Sequence, residues 1–174
     1  TYKLSGEYIV EEGATLHIEE GVKIIAVYDD IADYILVKQG GKINAVGTPD
    51  KPIVMTSEKE EPGAWGGIHI CGRAHTNAEG GKGSSEIGGA VYGGNDDADN
   101  SGTLQYIRLE YTGFAFDEEH EANGISFYGV GNGTIVDHCQ AYKGSDDGFE
   151  FFGGSVNVSN LVAVSCSDDS FDWT

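Results

Sequence analysis

The segment Ser145-Asp146-Asp147-Gly148-Phe149-Glu150-Phe151 returns as Ser167-Asp168-Asp169-Ser170-Phe171-Asp172-Trp173, an offset of 22 residues. One step upstream, Asn123-Gly124-Ile125-Ser126-Phe127-Tyr128-Gly129 aligns with Asp147-Gly148-Phe149-Glu150-Phe151-Phe152-Gly153 at an offset of 24. Gly67-Ile68-His69-Ile70-Cys71-Gly72 fits the same frame. A period this short dictates a solenoid, because one unit cannot bury its apolar face except against its neighbours. Helical repeats are longer, no 3.6-residue periodicity is present, and the Leu and Asn ladder of a leucine-rich repeat is missing. The chain is therefore expected to be all-β, a right-handed parallel β-helix with about three short strands per coil.

The first third supports this. Leu16-His17-Ile18, Val22-Lys23-Ile24, Ile35-Leu36-Val37, Lys42-Ile43-Asn44 and Ile53-Val54-Met55 are short apolar runs separated by turn residues. One domain is expected over 1–174, with N-terminal coils at 1–72, a loop excursion at 73–101 and C-terminal coils at 102–174. A second excursion covers Phe114 to Glu121. Gly102-Thr103-Leu104 resembles Gly133-Thr134-Ile135 at an offset of 31, which sets Ile107 against His138. Alternation demands Cys139 there instead, so a one-residue slip or bulge is expected. Glycine, 27 of 174 residues, then marks coil corners, where positive φ or close backbone approach is needed.

Ten Lys and Arg against 29 Asp and Glu give a net charge of −19, which argues against nucleic acid or an anionic membrane as partner. No apolar run approaches the roughly 20 residues of a membrane span. At 39% hydrophobic residues the chain is too apolar for a disordered acidic tail. Cys71, Cys139 and Cys166 have neither disulfide nor metal spacing and read as small packed residues. The start at Thr1 and the single Met, Met55, suggest a processed product of a longer chain, and the acidic, Gly-, Asn- and Ser-rich composition suggests a secreted or cell-surface setting. Asn132-Gly133-Thr134 and Asn157-Val158-Ser159 are glycosylation sequons in a eukaryotic source only.

Trp65-Gly66-Gly67-Ile68, Tyr92-Gly93-Gly94, Ser101-Gly102-Thr103-Leu104, Glu121-Ala122-Asn123-Gly124 and the two Ser-Asp-Asp blocks resemble a family of secreted right-handed β-helix proteins. That family is common among bacterial surface proteins and lies in the wide pectate-lyase-like superfamily. The resemblance implies export and a β-helix, with no single activity attached. Paired Asp residues are also similar to those of galacturonan hydrolases, but the Gly-His-Gly and Arg-x-Lys elements of those enzymes are missing.

Three groups of residues carry candidate chemistry. In the shared strand, Ile68 and Ile70, Ile125 and Phe127, Phe149 and Phe151, and Phe171 and Trp173 should point inward. His69, Ser126, Glu150 and Asp172 then face out, with Cys71, Tyr128, Phe152 and Thr174 in the next outward position. Rings beside carboxylates make His69, Ser126, Tyr128, Glu150, Phe152 and Asp172 a candidate face for a polysaccharide or cell-surface glycan. The plainer reading is a solvated face with Tyr128 and Phe152 covered by a loop. At the preceding corner, Asp146 stacks near Asp168 and Asp147 near Asp169, with Asn123 next along. Carboxylates about 5 Å apart repel by roughly 3 kcal/mol at an effective dielectric of 20. A divalent cation such as Ca²⁺, a backbone-capped turn ladder, or catalytic acids (Asp146, Asp147, Asp168, Asp169, with Glu150) each account for such a column. Asn95, Asp97 and Asp99 have the first, third and fifth spacing of a calcium loop, although Asn100 replaces its Gly and Tyr106 its Glu. The run Asp117 to Glu121 reads as a solvated loop tip, and His17, His75 and His138 are given no role.

Three functions follow: a non-catalytic binding or display module that contacts glycan and is stabilised by cation; a polysaccharide lyase or glycoside hydrolase on acidic glycans; or a structural unit self-associating through its open coil ends.

Overall fold

A computed structural model describes residues 1–29, 31–117 and 120–174. Glu118 and Glu119, in the expected loop tip, lie outside the described residues. The chain winds as a parallel β-helix. One sheet stacks β2 (Glu7–Val10), β5 (Tyr34–Val37), β8 (Ile68–Cys71), β12 (Ile125–Tyr128), β14 (Phe149–Phe152) and β17 (Phe171–Trp173). A second face stacks β3 (Thr15–Ile18), β6 (Lys42–Val46), the first halves of β11 (Gly102–Glu110) and β13 (Ile135–Tyr142), and β15 (Asn157–Ser159). A third stacks β1 (Tyr2–Leu4), β4 (Lys23–Ala26), β7 (Ile53–Ser57), the second halves of β11 and β13, and β16 (Val162–Val164). All five strands expected in the first third are present; β1 and β2 were not foreseen.

In the first sheet, Glu7 pairs with Tyr34, Ile35 with Ile68, Ile68 with Ile125, Ile125 with Phe149 and Phe149 with Phe171, offsets of 27, 33, 57, 24 and 22 residues. The period of 22–24 thus belongs to the last coils, and upstream coils lengthen by loops. The predicted inward parity holds. Phe127 stacks on Phe151 with centroids 4.9 Å apart and Phe151 on Trp173 at 5.7 Å, close to the spacing of neighbouring strands.

The pairing of Ile107 with Cys139 is observed, but without a slip between the strands. The offset is 32 from Thr103–Ile135 through Glu110–Tyr142, which corrects the offset of 31. Tyr106 (φ 51°) and His138 (φ 53°) both take the left-handed conformation, as does Asn160 (φ 52°) one coil on. Each strand bends there at a single residue, which resets the alternation so that Leu104 and Ile107 both point inward. The Tyr106 and His138 rings stack at 4.5 Å along this ridge.

The 73–101 excursion folds back over the outer side of the first sheet. It holds a 3₁₀ turn (Glu79–Gly81) and an antiparallel hairpin of β9 (Gly83–Ser84) and β10 (Val91–Tyr92). Ile87, Ala90 and Tyr92 pack on Tyr34, Leu36, Cys71, Tyr128 and Phe152 as a second apolar cluster. An apolar column left open would expose surface worth about 25 cal/mol per Å² when covered. The outward column is therefore internal: His69, Ser126 and Tyr128 are 0% exposed. This corrects the expectation of an open glycan face and agrees with a loop covering Tyr128 and Phe152.

Candidate acidic cleft

The corners before β12, β14 and β17 set the site. Gly124 and Gly148 permit neighbouring corners to touch, since a Cβ on Gly124 would lie 2.3 Å from the Gly148 carbonyl oxygen. Asp146 and Asp147 precede β14, and Asp168 and Asp169 precede β17. The register sets Glu150 beside Asp172, and alternation turns both to the outer side. Two triads result, Asp146–Asp147–Asp168 and Asp147–Glu150–Asp172, each with one oxygen per residue lying within 4.8 Å of the others. Asp147 belongs to both.

One rung of a backbone-capped ladder is present, with the Asp169 N–H donating to Asp147 Oδ1 at 2.8 Å. Asp169 joins neither triad. Asn123 Nδ2 donates to Glu150 Oε2 at 2.5 Å and to Ser126 Oγ at 3.1 Å, fixing the cleft floor.

Burial, and then crowding, push Asp146, Asp147, Glu150 and the nearby Glu86 toward their protonated forms. Asp146 rises to about 7, first through burial and then through Asp147, Glu121 and Asp168. Glu150 rises to about 8, through burial and then Glu86. Asp147 and Glu86 are raised mainly by burial. Among the described residues no lysine or arginine offsets the charge on any of the four, although His120 draws Glu86 downward.

A folded-state value above the unfolded one means the folded state holds the proton more tightly, so stability is full at low pH and is lost as pH rises through the folded value. In a chelating buffer the melting temperature is expected to fall by roughly 5 °C between pH 6.5 and pH 9, above the range in which the buried His69, lowered to about 4, adds an opposite slope, and after allowance for screening at the rim. Thermal melts across that range check it, and a flat or rising profile contradicts it.

The structure joins two sequence readings. Asp146, Asp147 and Asp168 meet Glu150 and Asp172, which the sequence placed on a glycan face, while His69, Ser126, Tyr128 and Phe152 lie beneath the excursion. Asn95, Asp97 and Asp99 are used differently from a calcium loop. Asp97 Oδ1 accepts from His75 N–H at 3.1 Å and contacts His75 Nδ1 at 2.7 Å, and Asp99 Oδ2 accepts from Arg73 N–H at 2.8 Å. These bonds tie down the base of the excursion. Glu86 and Glu121 are the acids the sequence reading missed. Glu86 is a lone carboxylate in an excursion and Glu121 closes the run read as a solvated loop tip, and neither has a repeat partner to mark it.

Clustered hard oxygens suit a divalent cation. Carboxyls that hold a proton near neutrality, as Asp146 and Glu150 do, also suit proton transfer.

A family model described as a pectate-lyase like beta helix domain matches residues 1–174. No curated protein and no solved structure matches the chain. The match runs the whole length of the wound strands and includes the acidic corners, and the chain belongs to the pectate-lyase-like β-helix domain family.

Proposed function

We propose that this protein is a secreted or cell-surface β-helix module that holds a divalent cation, calcium, in the acidic cleft and binds an acidic glycan through it. The observation that carries this reading is the pair of carboxylate triads sharing Asp147. Calcium takes 6–8 oxygen ligands, and Asp146, Asp147, Asp168, Glu150 and Asp172 supply hard oxygens from two adjacent coils. With a net charge of −19, a uronate-bearing chain is repelled unless a cation lies between. The burial of Tyr128 and Phe152 moves the glycan contact from ring stacking toward the ion. Retention of uronate oligosaccharides on an array in calcium, its loss in chelator and the absence of turnover are expected. Equal retention in both buffers contradicts the reading.

The enzymatic reading has one observation in its favour. Asp146 and Glu150 are raised to about 7 and 8, so each holds a proton close to neutral pH, as a general acid must. Release of reducing ends from acidic polysaccharide, lost in Asp146→Asn and Glu150→Gln, distinguishes it from the binding reading.

A further inference from the structure

Behind the cleft, the excursion covers polar atoms that have no partner. His69 is 0% exposed and Asn123 1% exposed, yet among the described residues His69 Nδ1 and Asn123 Oδ1 make no hydrogen bond, while the equally buried Tyr128 Oη meets the Ser126 side chain. His69 Nε2 lies 2.7 Å from the Gly66 carbonyl oxygen, so Nε2 carries the proton and Nδ1 is a bare acceptor. The three residues adjoin one another. His69 pairs with Ser126 across β8 and β12, Asn123 bonds Ser126, and the His69 and Tyr128 rings stack at 6.3 Å. Tyr128 continues into Phe152 at 4.3 Å, giving an aromatic floor beside two free acceptors and a hydroxyl. Buried polar groups are ordinarily satisfied, and two neighbouring orphan acceptors mark an interaction still to be made.

The cover over them is attached in an unusual way. Its main-chain hydrogen bonds are internal: β9 pairs with β10 and Ser85 N–H donates to the Ala90 carbonyl at 2.8 Å; Ser85 Oγ caps the turn through Ala90 N–H and the Ile87 carbonyl, and the Ser85 side chain also meets the Cys71 thiol of β8. Among the described residues, no main-chain hydrogen bond joins 82–92 to the coils. The hairpin is held chiefly by burial of Ile87, Ala90 and Tyr92, while its base is anchored through Gly93 N–H to the Gly72 carbonyl at 2.9 Å and through Arg73 and His75. Segments with few bonds to the body are those that open first.

We propose that the hairpin spanning 83–92 is the movable cover of a sugar-ring pocket. When it lifts, pyranose hydroxyls donate to His69 Nδ1 and Asn123 Oδ1 and meet Tyr128 Oη, while an apolar ring face lies on Tyr128 and Phe152. A ring in this pocket is two coils from Asp172, so one glycan chain running along the axis spans pocket and cleft. The inference rests on the glycan reading above and makes no use of the cation.

The test compares the wild-type chain with His69→Leu and Ile87→Asn. The probes are an array of uronate and neutral oligosaccharides, hydrogen exchange over 82–92, thermal melting and a calcium isotherm. Ile87→Asn undocks the hairpin and is expected to speed exchange there and tighten glycan retention about fivefold, because the open form is no longer the minor one. His69→Leu removes an orphan acceptor, so the melting temperature holds or rises while retention drops about tenfold or more. His69→Leu keeps the wild-type calcium isotherm. If His69→Leu melts lower and retains glycan normally, the orphan atoms serve an ordered water and the proposal is overturned. Unchanged retention in both variants overturns the pocket and its cover together, while unchanged retention in Ile87→Asn alone overturns the cover. No retention by any of the three proteins, with calcium still bound, overturns the glycan reading and this proposal with it.

Discussion

Replacing Asp147 with Asn is expected to lower calcium affinity by at least about 100-fold, or roughly 2.7 kcal/mol. Its carboxylate is the only one common to both triads, so a single change removes an anionic ligand from each. The amide keeps the shape of the side chain and its oxygen can still accept from Asp169 N–H, so the corner itself should survive. Asp169→Asn is the matched control. Asp169 lies at the adjacent position of the next coil, but the corner uses its backbone N–H and no triad uses its carboxylate, so affinity should shift by less than about threefold. Calorimetric titration of both variants separates them. Equal losses mean that bulk negative charge, rather than a built ligand set, attracts the ion.

Gly67→Ala is expected to be the most damaging single-methyl change near the site. Gly67 has φ +67°, and a Cβ there would lie 2.2 Å from the Asn123 carbonyl oxygen and 2.6 Å from that of Gly124. Those are main-chain atoms of the next coil, held by Ile68 N–H donating to Gly124 O at 3.1 Å, so they cannot rotate away. Left-handed strain and the forced separation of two coils together cost roughly 3–5 kcal/mol. For a chain of this size that lowers the melting temperature by roughly 10 °C. Gly13→Ala isolates the backbone part: φ is +80° but nothing lies within 4 Å of the added methyl, so a loss of about 1 kcal/mol is expected. Similar melts for the two variants would mean that coil spacing tolerates the clash.

These two positions show what the sequence could reveal. The Ser-Asp-Asp repeat exposed the corner column because register in a parallel stack carries equivalent residues to adjacent positions. Inward alternation followed from Ile125, Phe127, Phe149 and Phe151 for the same reason. Where one residue bends the chain, as at Tyr106 and His138, alternation breaks and the Gly102–Gly133 match misplaced the register by one. The fate of the outer column was not local information. Whether Tyr128 and Phe152 meet water or Tyr92 depends on where a long excursion lands, and Ile87, Ala90 and Tyr92 carry no repeat that reports it. Glu86 and Glu121 escaped notice on the same ground, since excursions have no period, although their charges act on Glu150 and Asp146. The calcium-loop spacing of Asn95, Asp97 and Asp99 misled because Asx side chains also cap turns and tie loop bases, as Asp97 and Asp99 do.

Calcium-dependent melting at two pH values tests the cation-held cleft most directly. At pH 8, where Asp146, raised to about 7, is largely ionised and Glu150, raised to about 8, is about half ionised, millimolar calcium should raise the melting temperature by roughly 5 °C or more. At pH 5 the same carboxyls keep their protons, the ion must displace them, and the gain should shrink to less than half. Superimposable melts with and without calcium at pH 8 would contradict the account.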